Sequence, residues 1–231
     1  MRPVLEVCVD STASALAAKR GGADRLELCA DLIIGGTTPS LALLRQVKEQ
    51  TGLPVRALLR PRFGDFCYDR WELAQMVQSA EELVKAGADG IVTGVLTPDG
   101  QLDTEAMRPI YAVATEAATQ AGHPVALTVH RAFDVCADPF AALETAVELG
   151  VCTILTSGQA ASAPSGADLL RELIKRANGR VEILAGAGVS AENIPALAAQ
   201  TGGCAFHLSG KQVLDSRMTF RREVNVVGMY S

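Results

Sequence analysis

Two short stretches of this chain carry nearly the same pattern, "LEVCVDS" at residues 5–11 and "RLELCADL" at residues 25–32. In the first, Leu5, Val7 and Val9 share one phase, and Glu6, Cys8 and Asp10 share the other. In the second, Leu26 and Leu28 oppose Arg25, Glu27 and Cys29. A period of two puts successive side chains on opposite faces of a strand. Both stretches are therefore predicted to be strands with one apolar face and one face of acids, bases and thiols.

The flanking segments decide what kind of sheet these strands join. "ALAAKRGGAD" (15–24) runs into the second strand, and "AEELVKAGAD" (80–89) runs into "GIVTGVL" (90–96). Likewise "ALETAVELG" (142–150) precedes "VCTILTSG" (151–158), and "LLRELIKRANG" (169–179) precedes "RVEILAGAG" (180–188). Each pair reads as a helix closed by glycine and followed by a strand. Strand candidates begin near residues 5, 25, 55, 90, 125, 153, 181 and 205. Strands alternating with helices mean βα units and a parallel sheet. Eight such units predict an α/β fold of the TIM (β/α)8 type more than a doubly wound open sheet. No linker or low-complexity stretch interrupts them, so residues 1–231 are expected to form a single domain. The segment after the eighth strand, "HLSGKQVLDSRMTFRREVNVVGMYS", lacks an amphipathic pattern. The last helix is expected to be missing or atypical, or replaced by the cover of a partner subunit.

Composition narrows the class. The 231 residues are 48% hydrophobic, 20% charged and only 4% aromatic, which suits helices packed on a parallel sheet. A net charge of -5 argues against nucleic acid as a partner, because phosphate binding needs a basic face. No apolar run approaches the ~20 residues that span a membrane. "MRPVLEVCVDS" enters a strand with no signal-peptide core, so a cytoplasmic location is expected. The six cysteines, at 8, 29, 67, 136, 152 and 204, form no CxxC pair and are expected to be free thiols in a reducing compartment.

In a barrel the apolar phase of each strand faces the helices and the other faces the axis. That reading sends Glu6, Cys8, Asp10, Arg25, Glu27 and Cys29 inward, with Thr128, His130, Glu182, His207 and Ser209 from later strands. The third strand is mixed, since Arg56, Leu58 and Arg60 share one phase, and "GIVTGVL" does not discriminate. Ordinary barrel interiors are filled with Val, Ile and Leu. Unpaired buried charge costs several kcal/mol, so these groups must either pair with one another, as Glu27 with Arg60, or serve a ligand. The second alternative is a polar cleft at the strand C-terminal ends.

Read in order, "EVCVDS", "GADRLELCADL", "GGTTPS", "RPRFGDFCYD", "TVHRAFD", "ILTSG" and "AGAGVSAENI" resemble the copper homeostasis protein CutC family nearly from end to end. The resemblance implies a TIM barrel and a homo-oligomer, dimer or tetramer. It also implies a copper(I) site at the positions of Cys8 and Cys29. Copper(I) is soft and prefers thiolate, and Arg25 or Arg60 would favour the thiolates, with His130 or His207 available as a third ligand. The chain departs from the family pattern at Ile34, at Phe63-Gly64-Asp65 and at "HLSGK".

Two functions follow. The first is a cytosolic copper(I)-binding protein of copper homeostasis, with Cys8 and Cys29 as metal ligands. The second is a barrel enzyme acting on a small anionic or phosphorylated metabolite. Its catalytic candidates are Glu6, Asp10, Glu27, Arg60, His130 and Asp134, groups that a copper carrier does not need. Its anion-binding candidates are Gly186, Gly188 and Ser190 after strand seven, and Ser209, Gly210 and Lys211 after strand eight. Loops there hold phosphate in many barrels. No GxSxG elbow points to a nucleophilic hydrolase, and His123, His130 and His207 are too scattered in sequence for a zinc motif.

Overall fold

The computed structural model describes residues 2–210, 215 and 217–220. Eight parallel strands close into a barrel in sequence order: β1 (Val4–Val9), β2 (Arg25–Leu28), β3 (Val55–Leu58), β4 (Gly90–Thr93), β5 (Ala126–Val129), β6 (Thr153–Thr156), β7 (Glu182–Ala185) and β8 (Ala205–Leu208). Register pairs close the ring between β1 and β8, Glu6 opposite His207. Seven α-helices separate the strands: α1 (Thr12–Arg20), α2 (Leu41–Thr51), α3 (Arg70–Lys85), α4 (Thr104–Ala121), α5 (Pro139–Glu148), α6 (Ala167–Ala177) and α7 (Ile194–Thr201). The expected irregularity after β8 lies outside the described residues.

Helix starts follow local chemistry. Ser11, Ser40, Asp69, Asp103 and Asp138 each accept a backbone N–H of the first turn, and Asp69 forms a capping box with Glu72. Such caps contribute about 1 kcal/mol each. Only β1 turns at once into its helix; the later strands reach theirs through longer loops, which gather at the end of the barrel where the strand C-termini lie.

Apolar and polar phases separate as alternation requires. Val9, Leu26, Leu28, Val55, Ala57 and Ile91 pack into the large core between sheet and helices, together with Val129, Ile154, Ile183 and Phe206. Inside the ring only small apolar groups form: Val4, Leu155, Leu184 and Ala205 in one, Cys8, Cys29, Leu58 and Val92 in another. The rest of the interior is polar. β3 resolves the ambiguity of its sequence, since Val55 and Ala57 join the outer core while Arg56 reaches across the axis to Thr128 and Thr153.

That reach needs space, and Gly90 supplies it. Gly90 lies in register with Arg56. A Cβ there would stand 2.8 Å from Arg56 Cγ and 2.9 Å from the Ala126 carbonyl oxygen. Gly90→Val is expected to destabilise the barrel by about 1–3 kcal/mol or more through overpacking, measured by urea denaturation. A loss under about 0.5 kcal/mol, the range of neutral surface changes, would show that the axis is not tightly filled there.

Candidate functional site

The barrel interior is built in tiers. Lowest is an ionic tier made by residues near the strand starts. Arg25 Nε lies 2.5 Å from Glu6 Oε2, and its Nη2 lies 2.5 Å from Glu182 Oε1 on the far side of the barrel. Arg56 Nη1 donates to Thr128 Oγ1 at 3.1 Å and Thr153 Oγ1 at 3.0 Å, and lies 3.7 Å from Glu6 Oε2. His207 Nδ1 is 2.9 Å from Glu6 Oε1. Burial by itself would raise the Glu6 carboxyl, but the hydrogen bond and charge of His207, with Arg25 and Arg56, hold it at about 2. Glu6 is thus an ionised, fully paired hub.

The middle tier joins Cys8, Glu27 and His207, which can each offer one ligand atom within 4.8 Å of the others. His207 Nε2 lies 3.7 Å from Glu27 Oε2. Burial opposes a charged imidazole, yet Glu27, Cys8 and Glu6 together push the His207 pKa well up. Burial raises Glu27 as well, against the pull of His207. The expected pairing of Glu27 with Arg60 does not occur; the imidazole is the partner instead.

Cys29 stands just beyond the end of β2, with its Sγ 3.6 Å from Cys8 Sγ and donating to the Val9 carbonyl at 3.5 Å. The Cys29 hydrogen bond, burial and the Glu27 charge push the Cys8 thiol up. Cys8 is therefore held as a thiol. Gly36 backs this pair at φ +88, where an added Cβ would lie 2.9 Å from Leu58 Cδ2 and 3.4 Å from Cys29 Cβ. Only glycine combines that left-handed backbone with that approach.

Uppermost, at the strand C-terminal ends, Arg60 and His130 are both buried. Arg60 Nη1 donates to the carbonyls of Gly35 at 3.3 Å and Gly36 at 3.1 Å, and Nη2 donates to Gly64 at 2.9 Å. Its guanidinium stacks 5.2 Å from the Phe66 ring centre, and Phe66 lies 4.7 Å from the His130 ring. His130 Nδ1 accepts the Ala132 N–H at 3.2 Å. Burial, then Arg60, lower the His130 pKa to about 3, so the ring is neutral near pH 7 with its proton on Nε2. A cavity of about 330 Å³ joins this tier to the middle one, lined by Cys8, Glu27, Arg60, His130, His207 and Ser209 among others.

Other expected site residues fall elsewhere. Asp10 is exposed, because β1 ends at Val9 and the chain turns at once into the α1 cap. Asp134 accepts Thr156 Oγ1 and the backbone N–H groups of Ser157 and Gln159, and it pairs with Arg131 at 2.7 Å. Its lone pairs build the loop after β6 and leave little for a substrate. Gly188 and Ser209 line the cavity, whereas Gly186 packs against Leu155 and His207. Ser190 does not open a helix: its N–H donates to Asn193 Oδ1, and α7 starts at Ile194. Gly210 is exposed with φ +52. Lys211 lies outside the described residues. Arg56, Phe66 and Arg131 went unassigned in the sequence reading. Arg56 sat in a mixed phase, and the other two come from loops, which have no period to read.

The neutral His130 has a stability consequence. Its folded pKa is below its unfolded value, so between roughly pH 6.5 and 3 the unfolded chain binds a proton that the native site refuses. This contribution is present above pH 6.5 and is lost as pH falls, with a slope approaching about 1.4 kcal/mol per pH unit. His130→Gln is expected to flatten the pH dependence between 7 and 4.5 in chemical denaturation. Equal losses in both proteins would contradict a buried neutral imidazole.

Comparison with known proteins agrees with this architecture. The CutC family model matches residues 3–212. The human copper homeostasis protein cutC homolog is 42% identical over 225 residues, covering 97% of this chain and 80% of the human one. A Vibrio vulnificus family protein CutC is 45% identical over 216 residues, covering 94% and 84%. Among solved structures, a CutC from Streptococcus agalactiae superposes with a TM-score of 0.82 at 29% identity, covering 90% of this chain and 98% of that one. A 2,3-dimethylmalate lyase at 15% identity and TM-score 0.61, covering 90% and 75%, shares the fold alone. The chain belongs to the CutC family.

Proposed function

We propose that the protein serves copper homeostasis by binding copper(I) between the thiolates of Cys8 and Cys29. One observation carries this reading: two thiol sulfurs 3.6 Å apart inside the barrel, beside a cavity open to small solutes. A metal with bonds of about 2.3 Å to sulfur can bridge two sulfurs up to about 4.6 Å apart, so the pair needs only to rotate slightly outward. Soft thiolates suit copper(I), and the hard Glu27 carboxylate does not. The human and mouse relatives, each named copper homeostasis protein cutC homolog, support the same reading.

The surroundings supply the electrostatics. Copper(I) between two thiolates carries one negative charge, and the protonated His207 touches Cys8. His207 therefore acts as counter-charge while it holds its proton, and as a third ligand only after losing it. Because Cys8 begins as a thiol, metal uptake must release protons, and affinity must rise with pH. Free thiols at this pair require reducing surroundings, in keeping with a cytoplasmic location. Among the described residues no helix is long and apolar enough to cross a membrane.

Titration of reduced protein with copper(I) against a competing chelator tests the reading. One equivalent is expected to bind, with tighter binding at pH 8 than at pH 6, and Cys8→Ser with Cys29→Ser is expected to abolish it. Unchanged stoichiometry and affinity in the double variant would exclude these ligands.

A further inference from the structure

Most buried or half-buried cations inside this barrel face a carboxylate. Arg25 meets Glu6 and Glu182, Arg56 meets Glu6, His207 meets Glu6, and Arg131 at the rim meets Asp134. Arg60 differs. It is 8% exposed, and no carboxylate lies within ion-pair distance among the described residues. Of its five N–H donors three go to backbone carbonyls, and Nε has no hydrogen-bond partner among the described residues. A guanidinium is charged at any physiological pH, so this one is a buried cation awaiting an anion.

His130 repeats the pattern with a neutral donor. Nδ1 takes the Ala132 N–H, and an added Cβ at Gly94 would lie 2.9 Å from Nδ1 and 3.0 Å from Cε1, so that edge of the ring is occupied. The opposite nitrogen, Nε2, is buried with no hydrogen-bond partner among the described residues. Phe66 packs against both side chains, and all three line the one cavity. Arg60, beside a Tyr68 hydroxyl equally unpartnered among the described residues, and His130 thus each keep an unused donor while lining one cavity, a setting that suits a small oxyanion.

The geometry points to a second ligand in this barrel: a small monocarboxylate with an apolar body, its carboxylate held by Arg60 and His130. Charge selects the class. Among the described residues that line the cavity, Arg60 is the cation without a carboxylate partner and His130 adds a donor without charge, so a monoanion matches the local charge better than a phosphate dianion. The segment between β7 and β8, residues 186–204, carries no Lys or Arg to make up the difference. The remaining wall is set by Leu32, Leu58, Phe66, Leu155, Val189 and Leu208, and a space of about 330 Å³ suits a ligand of few heavy atoms. This site uses neither sulfur, so it stands apart from the copper reading.

Isothermal titration of copper-free protein with acetate, 3-methylbutanoate and phenylacetate tests it. The amide of each acid and inorganic phosphate serve as controls. At least one carboxylate is expected to bind, its amide not, and phosphate more weakly. Arg60→Gln is expected to weaken the carboxylate by roughly thirtyfold or more, the loss typical of a buried charged partner. No binding by any of the three acids, tighter binding of phosphate, or equal binding by folded Arg60→Gln would each overturn the proposal. Should Arg60→Gln fail to fold, the native Arg60 Nε–H resonance decides: it must shift with carboxylate and not with amide, and an unmoved resonance overturns the proposal.

Discussion

A carboxylate at the axis of the barrel holds the interior together. Glu6 is fully buried and accepts from Arg25 and His207, with Arg56 close by. A lone ionised carboxyl in that position would cost several kcal/mol, and three cationic neighbours from three other strands offset it. Arg25 extends the pairing to Glu182 on β7, so the tier ties opposite walls of the ring. Strands that ordinary barrels join through layers of branched aliphatics are joined here through charge and hydrogen bonds. Such a tier is unforgiving, because removal of any member leaves another charge buried and unpaired.

Everything above that tier inherits its electrostatics. With Glu6 committed to the cations below, His207 is held between two carboxylates and stays protonated, which places a positive charge against Cys8. Glu27, pushed up by burial, tempers that charge. The Cys29 hydrogen bond, burial and the Glu27 charge nevertheless keep Cys8 as a thiol. Arg60 and His130 sit past the reach of the hub and keep donors that no group among the described residues uses. The interior thus grades from a closed ionic base to an open mouth with capacity for ligands.

Small residues make this grading possible. Gly90 leaves room for Arg56 to cross the axis, and Gly36 lets the β2–α2 loop press against Cys29. Polar side chains as long as arginine fit into a closed barrel only where neighbours surrender volume. The two glycines belong to the site as much as the charges do.

Alternation within each strand, and the recurrence of helix, glycine and strand, determined the barrel and the inward phase of Glu6, Cys8, Glu27, Cys29, Glu182 and His207. These are local properties with periods of two and 3.6, legible without any knowledge of contacts. The family resemblance rested on motifs that are equally local. What tertiary structure decided was partnership. Glu27 turned to His207 and not to Arg60, Asp134 was consumed by the β6 loop, and Asp10 left the interior where β1 ended. Arg60, one more charged loop residue in the sequence, became a cavity-lining cation with no carboxylate partner among the described residues. Pairing depends on which side chains meet across a closed ring, and closure brings together residues more than 150 positions apart, such as Arg25 and Glu182. No pattern along the chain encodes that distance.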